Sequence, residues 1–196
     1  MGKKHVFYIR KKLLIFLFLL LTKPSFGHDP NQNLPANKIF EKFNLPTEGE
    51  SKPIGFYAKG CLSGGVQLSD TGPNWQIMRP SRNRNWGHPS VISYIKDLSK
   101  SATQIGWKGL YIGDIAAPRG GPMPYGHQSH QTGLDVDIWL TPPKSLTLTK
   151  KERDKIKAVS VRKKNLKEVN NNWTLNHAKI LKAVSYTHLR AHETTN

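Results

Sequence analysis

The chain has 196 residues, 37% of them hydrophobic and 22% charged, and 30 Lys and Arg against 13 Asp and Glu leave it with a net charge of +17. That length holds one domain with a core and excludes two comfortable ones. The charge suits an acidic partner, but the basic residues between Lys144 and Lys182 are scattered among acids and amides, and no aromatic-interleaved basic motif accompanies them, which excludes a nucleic-acid partner.

Residues 1–27 read as a signal peptide: a basic start, an apolar run from Leu13 to Leu21, and small residues Ser25 and Gly27 before a cleavage point at His28. The run is nine residues where a bilayer span needs about 20, so no permanent membrane anchor is expected. Export to the periplasm follows. Residues 28–53 are rich in Asn, Pro and charge and read as a flexible leader with one short turn around Ile39 to Phe43. Short strands are predicted at Ile54 to Tyr57, after a Gly60–Cys61 bend at Val66 to Leu68, and at Trp75 to Arg79 with Trp75 and Ile77 on one face. His88 and Pro89 open a helix to Ala102, in which Val91, Ile92, Ile95, Leu98 and Ala102 recur at helical spacing.

Trp107 to Ile115 returns to strand, with Leu110 and Ile112 toward the core, and is expected to pair with a strand from Leu134 to Leu140. The Gly- and Pro-rich loop between them is too long for idle connection. In it Arg119, Gly120 and Gly121 are placed to line a cleft, with Arg119 a candidate for a substrate carboxylate. Thr149 and Glu152 have capping-box spacing for a helix over 150–157. A last helix starts near Thr174 with Ile180, Leu181 and Val184 as its buried stripe, and His177 on it reads as structural.

Chemistry concentrates in YGHQSHQTGLDVDIWL, Tyr125 to Leu140. Alternation from Leu134 puts Leu134, Val136, Ile138 and Leu140 on one face and Asp135, Asp137 and Trp139 on the other. His127 and His130 lie upstream of Gly133, which permits a turn; fully extended chain would hold His130 and Asp137 roughly 23 Å apart. Two imidazoles and a carboxylate brought together match a catalytic zinc site, in which three protein ligands leave a fourth position for water.

With IGFYAKGCLSGG from Ile54, QIMRPSRNRNWGHPSVISYI, GLYIGDIAAPRGG and GHQSHQTGLDVDIWL, the chain resembles the penicillin-insensitive murein endopeptidases, zinc peptidases of the lysostaphin and D-Ala-D-Ala metallopeptidase superfamily. The resemblance fades after Pro142 and Pro143. It implies an α+β fold of hedgehog or D-Ala-D-Ala-peptidase type, a small antiparallel sheet flanked by helices with a metal cleft on its open face. It also implies Zn2+ on His130 and Asp137 with His127 auxiliary or adjacent, and cleavage of the D-alanyl–meso-diaminopimelyl cross-bridge of peptidoglycan. The family's third main ligand and its general-base His come from an H-x-H segment absent from this sequence, and KKNLK at Lys163 to Lys167 replaces a second-metal segment of some members. Residues 54–183 are therefore expected to be a partial endopeptidase domain, incomplete at its C-terminal end and inactive by itself. A non-catalytic peptidoglycan-binding protein of the same fold is the alternative. Cys61, the only cysteine, is either buried and free or the partner of a cysteine the family carries further along. Residues 184–196 read as a non-native tail, since VSYTHLRAHET is similar to a translated sequencing adapter, and His188 and His192 are not counted as ligands.

Overall fold

A computed structural model describes residues 33–193, nearly all within one compact unit, Pro35–Asn196. The expected signal peptide lies outside the described residues, as do the start of the leader and residues 194–196. The architecture is α+β. Helix α1 (Ala36–Phe40) precedes a hairpin of β1 (Lys52–Phe56) and β2 (Lys59–Ser63), and β3 (Val66–Gln67) pairs with β6 (Trp86–Gly87). A four-stranded sheet has the order β4 (Thr71–Gly72), β5 (Trp75–Ile77), β7 (Leu110–Ile112), β8 (Ile138–Trp139). Helices α2 (Pro89–Gln104), α3 (Lys150–Lys155) and α4 (Leu175–Glu193) complete it, α4 continuing without a break past residue 184. Among the described residues no helix is long and apolar enough to cross a membrane.

The sheet expected to be antiparallel is so at its two edges, whereas β5 and β7 run parallel, with Trp75 opposite Leu110 and Ile77 opposite Ile112. Parallel neighbours need a long crossover, and α2 supplies it. The predicted face of α2 is the buried one: Ile95, Leu98 and Ala102 are fully buried in one cluster with Leu110, Ile112 and Ile180. Each large aliphatic so buried contributes about 1.5–3 kcal/mol. His88 caps α2, its Nδ1 accepting from the Ser90 N–H at 3.3 Å, and Pro89 takes the first helical position, where no intrahelical donor is needed. The Thr149–Glu152 capping box forms in both directions, and α3 stops at Lys155 because Ile156 turns extended.

Several expectations shift. The hairpin turns at Tyr57 and Ala58, not at Gly60–Cys61; Gly60 instead lies opposite Gly55, where a Cβ would meet the Ile54 carbonyl at 2.4 Å. The strand over Leu134 to Leu140 shortens to Ile138–Trp139, because β7 ends at Ile112 and leaves residues 134–136 nothing to pair with. Leu134 is accordingly half exposed, while Val136, Ile138 and Leu140 do pack on the core. On α4 the buried positions go to His177 and Ile180, and Leu181 is turned outward. His177 is structural: Thr174 Oγ1 lies 2.8 Å from Nδ1 and the Leu140 carbonyl 3.1 Å from Nε2, between Trp107 and Trp173. Cys61 is half-buried and free.

The leader also departs from expectation, since from Phe40 to Thr47 it is docked. The Phe40 ring fills the space over Gly121, the Arg119 guanidinium lies 3.8 Å from the Phe43 ring centroid, and Thr47 Oγ1 accepts from the Gly64 N–H at 2.7 Å. Two aromatic anchors carry no periodicity, so composition alone reads such a segment as mobile.

Candidate metal centre

Each side chain of the centre is set by a specific backbone device. Asp137 sits one residue before β8, where its N–H donates to the Asp114 carbonyl at 2.9 Å and its own carbonyl accepts from Gly113 N–H at 2.7 Å. Gly113 makes this approach possible, because a Cβ there would stand 2.9 Å from the Asp137 Cβ. His130 takes a left-handed backbone, φ 67°, a conformation that costs a residue with a Cβ on the order of 1–3 kcal/mol and collects at functional sites. Its neighbour Gln131 is a clamp. The buried side-chain amide donates to the Ala58 and Gln128 carbonyls and accepts from Gly60 N–H, pinning the loop to the hairpin turn. On the far side His88 N–H donates to the Gly133 carbonyl at 2.9 Å, and Gly133, φ 69°, has no room for a side chain against Leu62.

His127, His130 and Asp137 thereby converge. His127 Nε2 lies 3.3 Å from Asp137 Oδ2 and His130 Nε2 lies 3.4 Å from Asp137 Oδ1, with the two imidazole rings edge to face. One ligand atom from each of the three falls within 4.8 Å of the others, and this is the metal-competent cluster found among the described residues. Zinc bonds of about 2.0–2.1 Å at tetrahedral angles separate neighbouring ligand atoms by about 3.4 Å; each His–Asp spacing matches that, but to a different oxygen of Asp137, so a bound ion would draw the three ligand atoms, now within 4.8 Å, closer together. A second observation agrees. His130 is 2% exposed, and neither ring nitrogen makes an aligned hydrogen bond; its contacts are ionic, Nδ1 2.9 Å from Asp135 Oδ2 and Nε2 3.4 Å from Asp137 Oδ1. Set between two carboxylates, the ring is held as an imidazolium in the metal-free chain, a positive charge that a cation at Asp137 would replace.

Asp135, a carboxylate on the open face by alternation, has a defined partner here. Its Oδ2 accepts from the His130 N–H at 3.1 Å and stands beside Nδ1, the place of a carboxylate that orients a ligating imidazole. Burial alone would push the His130 pKa down, but the contacts to Asp135 and then Asp137 outweigh it and hold it up at about 10. Burial would likewise raise Asp137, and the two histidines pull it below its ordinary value. Metal ligation requires the neutral imidazole. Loading at pH 7 is therefore expected to release about one proton from His130, and affinity to rise with pH. Calorimetry in two buffers of different ionisation enthalpy reads that proton, and a buffer-independent heat would show that His130 is not a charged group displaced by metal.

Asp137 also lines a cleft of about 200 Å³ with Arg79, Arg82, Asp114, His127 and Trp139 among its walls. Asp114, 4% exposed, accepts from Arg84 Nη1 at 2.8 Å and Arg82 Nη1 at 3.1 Å, and Arg84 reaches the Tyr125 carbonyl. Arg119 is not in this cleft. Its Nε donates to the Leu45 carbonyl at 3.3 Å while Phe43 covers its face, so the docked leader occupies the guanidinium expected to meet a substrate.

Fold and cluster define the class: an α+β protein with a candidate single-metal centre of two imidazoles and a carboxylate. Residues 53–189 match the penicillin-insensitive murein endopeptidase family, and the chain belongs to it. It is 37% identical to the penicillin-insensitive murein endopeptidase of Haemophilus influenzae over 139 residues, 70% of this chain and 49% of the relative. The protein of that name from Citrobacter koseri is 35% identical over 70% of this chain and 47% of its own. That from Salmonella paratyphi B is 42% identical over 54% and 39%. The chain thus spans about half the length, or less, of these relatives.

Proposed function

We propose that this chain is the metal-holding part of a murein endopeptidase of hedgehog or D-Ala-D-Ala-peptidase fold, exported to the periplasm by residues 1–27, that takes zinc and acts on the D-alanyl–meso-diaminopimelyl cross-bridge of peptidoglycan. The observation that carries the reading is the pair of His–Asp spacings near 3.4 Å about Asp137, on a chain of this family. His127, His130 and Asp137 would hold the metal and Asp135 would orient His130. Zinc so bound lowers the pKa of its water toward ~7 and polarises a scissile carbonyl. The cleft beside Asp137 receives the peptide, and Trp139 forms part of its wall.

The other described imidazoles are committed elsewhere, His88 to the cap of α2 and His177 to Thr174 and Leu140. No further imidazole among the described residues joins the cluster as a general base. The chain as it stands is therefore expected to bind zinc weakly and to be effectively inactive on murein, with any residual cleavage at least about 10² to 10⁴-fold slower, the worth of the missing acid–base help. The same observation favours the second reading, a peptidoglycan-binding protein of this fold without hydrolysis. Equilibrium dialysis with zinc and release of muropeptide monomers from cross-linked dimers, beside the full-length Haemophilus influenzae relative, test both. The expected result is weak uptake of one zinc per chain, with any cleavage at least about 10² to 10⁴-fold below the relative. No zinc uptake sinks the metal reading; cleavage at the relative's rate makes His127 the base; retention on murein with no cleavage selects the binding protein.

A further inference from the structure

We infer that Arg79 and Arg82 form an anion subsite beside the metal centre, which binds a carboxylate of the peptide substrate; this rests on the endopeptidase reading and names how that site holds its ligand. Both arginines line the cleft that His127 and Asp137 line. They stand at the two ends of a tight segment. Arg79 and Asn83 flank the 3-10 turn Pro80–Arg82, and both take the left-handed backbone, φ 57° and 52°. Arg79 there costs on the order of 1–3 kcal/mol and Asn83 less, and the reversal they impose faces positions 79 and 82 into one cavity. The turn is held from behind: Ser81 N–H and Oγ donate to Asp154 Oδ1, Arg79 N–H to the Arg153 carbonyl, and Asn83 Nδ2 to the Asn44 carbonyl.

The guanidiniums are under-used. Arg82 gives only Nη1 to Asp114 and its Cζ lies 5.8 Å from the Tyr125 ring centroid, leaving Nε and Nη2 without a hydrogen-bond partner among the described residues. Arg79 makes no side-chain hydrogen bond or ion pair there; its Cζ lies 5.7 Å from the Trp139 ring centroid, on the β8 face that Asp137 shares. A planar fork with free donors in a concave site matches a carboxylate bidentately. Charge points the same way. The two lining carboxylates, Asp114 and Asp137, are matched by the two guanidiniums, so a divalent cation leaves the cleft with two net positive charges to be met by ligand. Held between the metal and this pair, a peptide is fixed at two points, which sets which bond faces the metal.

The test uses Arg79→Gln, because Arg82 also supports Asp114 and its loss would disturb the fold. Zinc affinity and the Kd for a cross-linked muropeptide dimer are measured on the zinc-loaded wild type and variant. The dimer is used as the free acid, with its C-terminal carboxylate amidated, and with its side-chain carboxylates amidated. Arg79→Gln is expected to weaken the free acid about 10–100-fold and to leave zinc affinity within about twofold, with Arg79→Lys between. The amidated form that binds wild type and variant alike identifies which carboxylate is held. Equal binding of the free acid by wild type and variant overturns the subsite, as does an equal loss for every form. A chain that takes up no zinc would fail the endopeptidase reading, and the subsite is then still judged by the Arg79-dependent difference between free and amidated dimer on the metal-free chain.

Discussion

Changing His130 to asparagine is expected to lower zinc affinity by about 10²- to 10³-fold with the fold intact. A protein zinc site gathers on the order of 10 kcal/mol from its ligands together, so losing one of three removes roughly 3 kcal/mol or more. Asparagine is the informative replacement because it tolerates the left-handed backbone that His130 holds at φ 67°, where alanine would add strain. Asp135→Asn should cost less, about 10–100-fold, since it orients the imidazole without occupying the centre. Competition against a chelating dye ranks the variants. Wild-type uptake by His130→Asn would remove His130 from the centre, and a larger loss from Asp135→Asn than from His130→Asn would exchange their roles.

What the sequence disclosed and what it hid separate along a physical line. Apolar spacing and capping are local, so α2, the Thr149–Glu152 box and the alternation of Val136, Ile138 and Leu140 could be read directly. The His127, His130 and Asp137 set was legible because family pattern and Gly133 both pointed to it, and Asp135 lay in plain view two residues from Asp137. Hidden features are those made by long-range contacts. The parallel β5–β7 pair depends on which edge α2 delivers the chain to. The docking of Phe40 and Phe43, which removes Arg119 from the cleft, depends on where Gly121 falls in space. Arg79 gave no signal of a left-handed backbone, and Asn83, a residue type that adopts it readily, gave only a weak one; the SRNRN run within the resemblance marked that stretch.

The second large effect is expected at Asp114, which no periodicity or spacing marked. Asp114→Ala should destabilise the metal-free protein by about 3–5 kcal/mol. The carboxylate is 4% exposed and Arg84 beside it 6%, with 2.8 Å between Nη1 and Oδ2. Taking two charges out of water is costly, and the pair is tolerable only while each satisfies the other; with the carboxylate gone, Arg84 keeps a full charge in the interior with only Tyr125 to meet it, through its carbonyl and its ring face 4.5 Å away. A typical domain is stable by about 5–15 kcal/mol, so the loss takes a large part of the total. It also reaches the metal centre, because Arg84 holds Tyr125, two residues before His127, and the Asp114 backbone carbonyl carries Asp137 N–H. The mechanism predicts its own rescue. Asp114→Leu with Arg84→Met removes both charges and keeps the volume filled, and should recover most of the stability without restoring Arg82 to its place. Urea unfolding of the metal-free chain reads both steps: a single-variant loss under about 1 kcal/mol, or a double variant no better than the single, would mean that the buried pair is not what holds the loop.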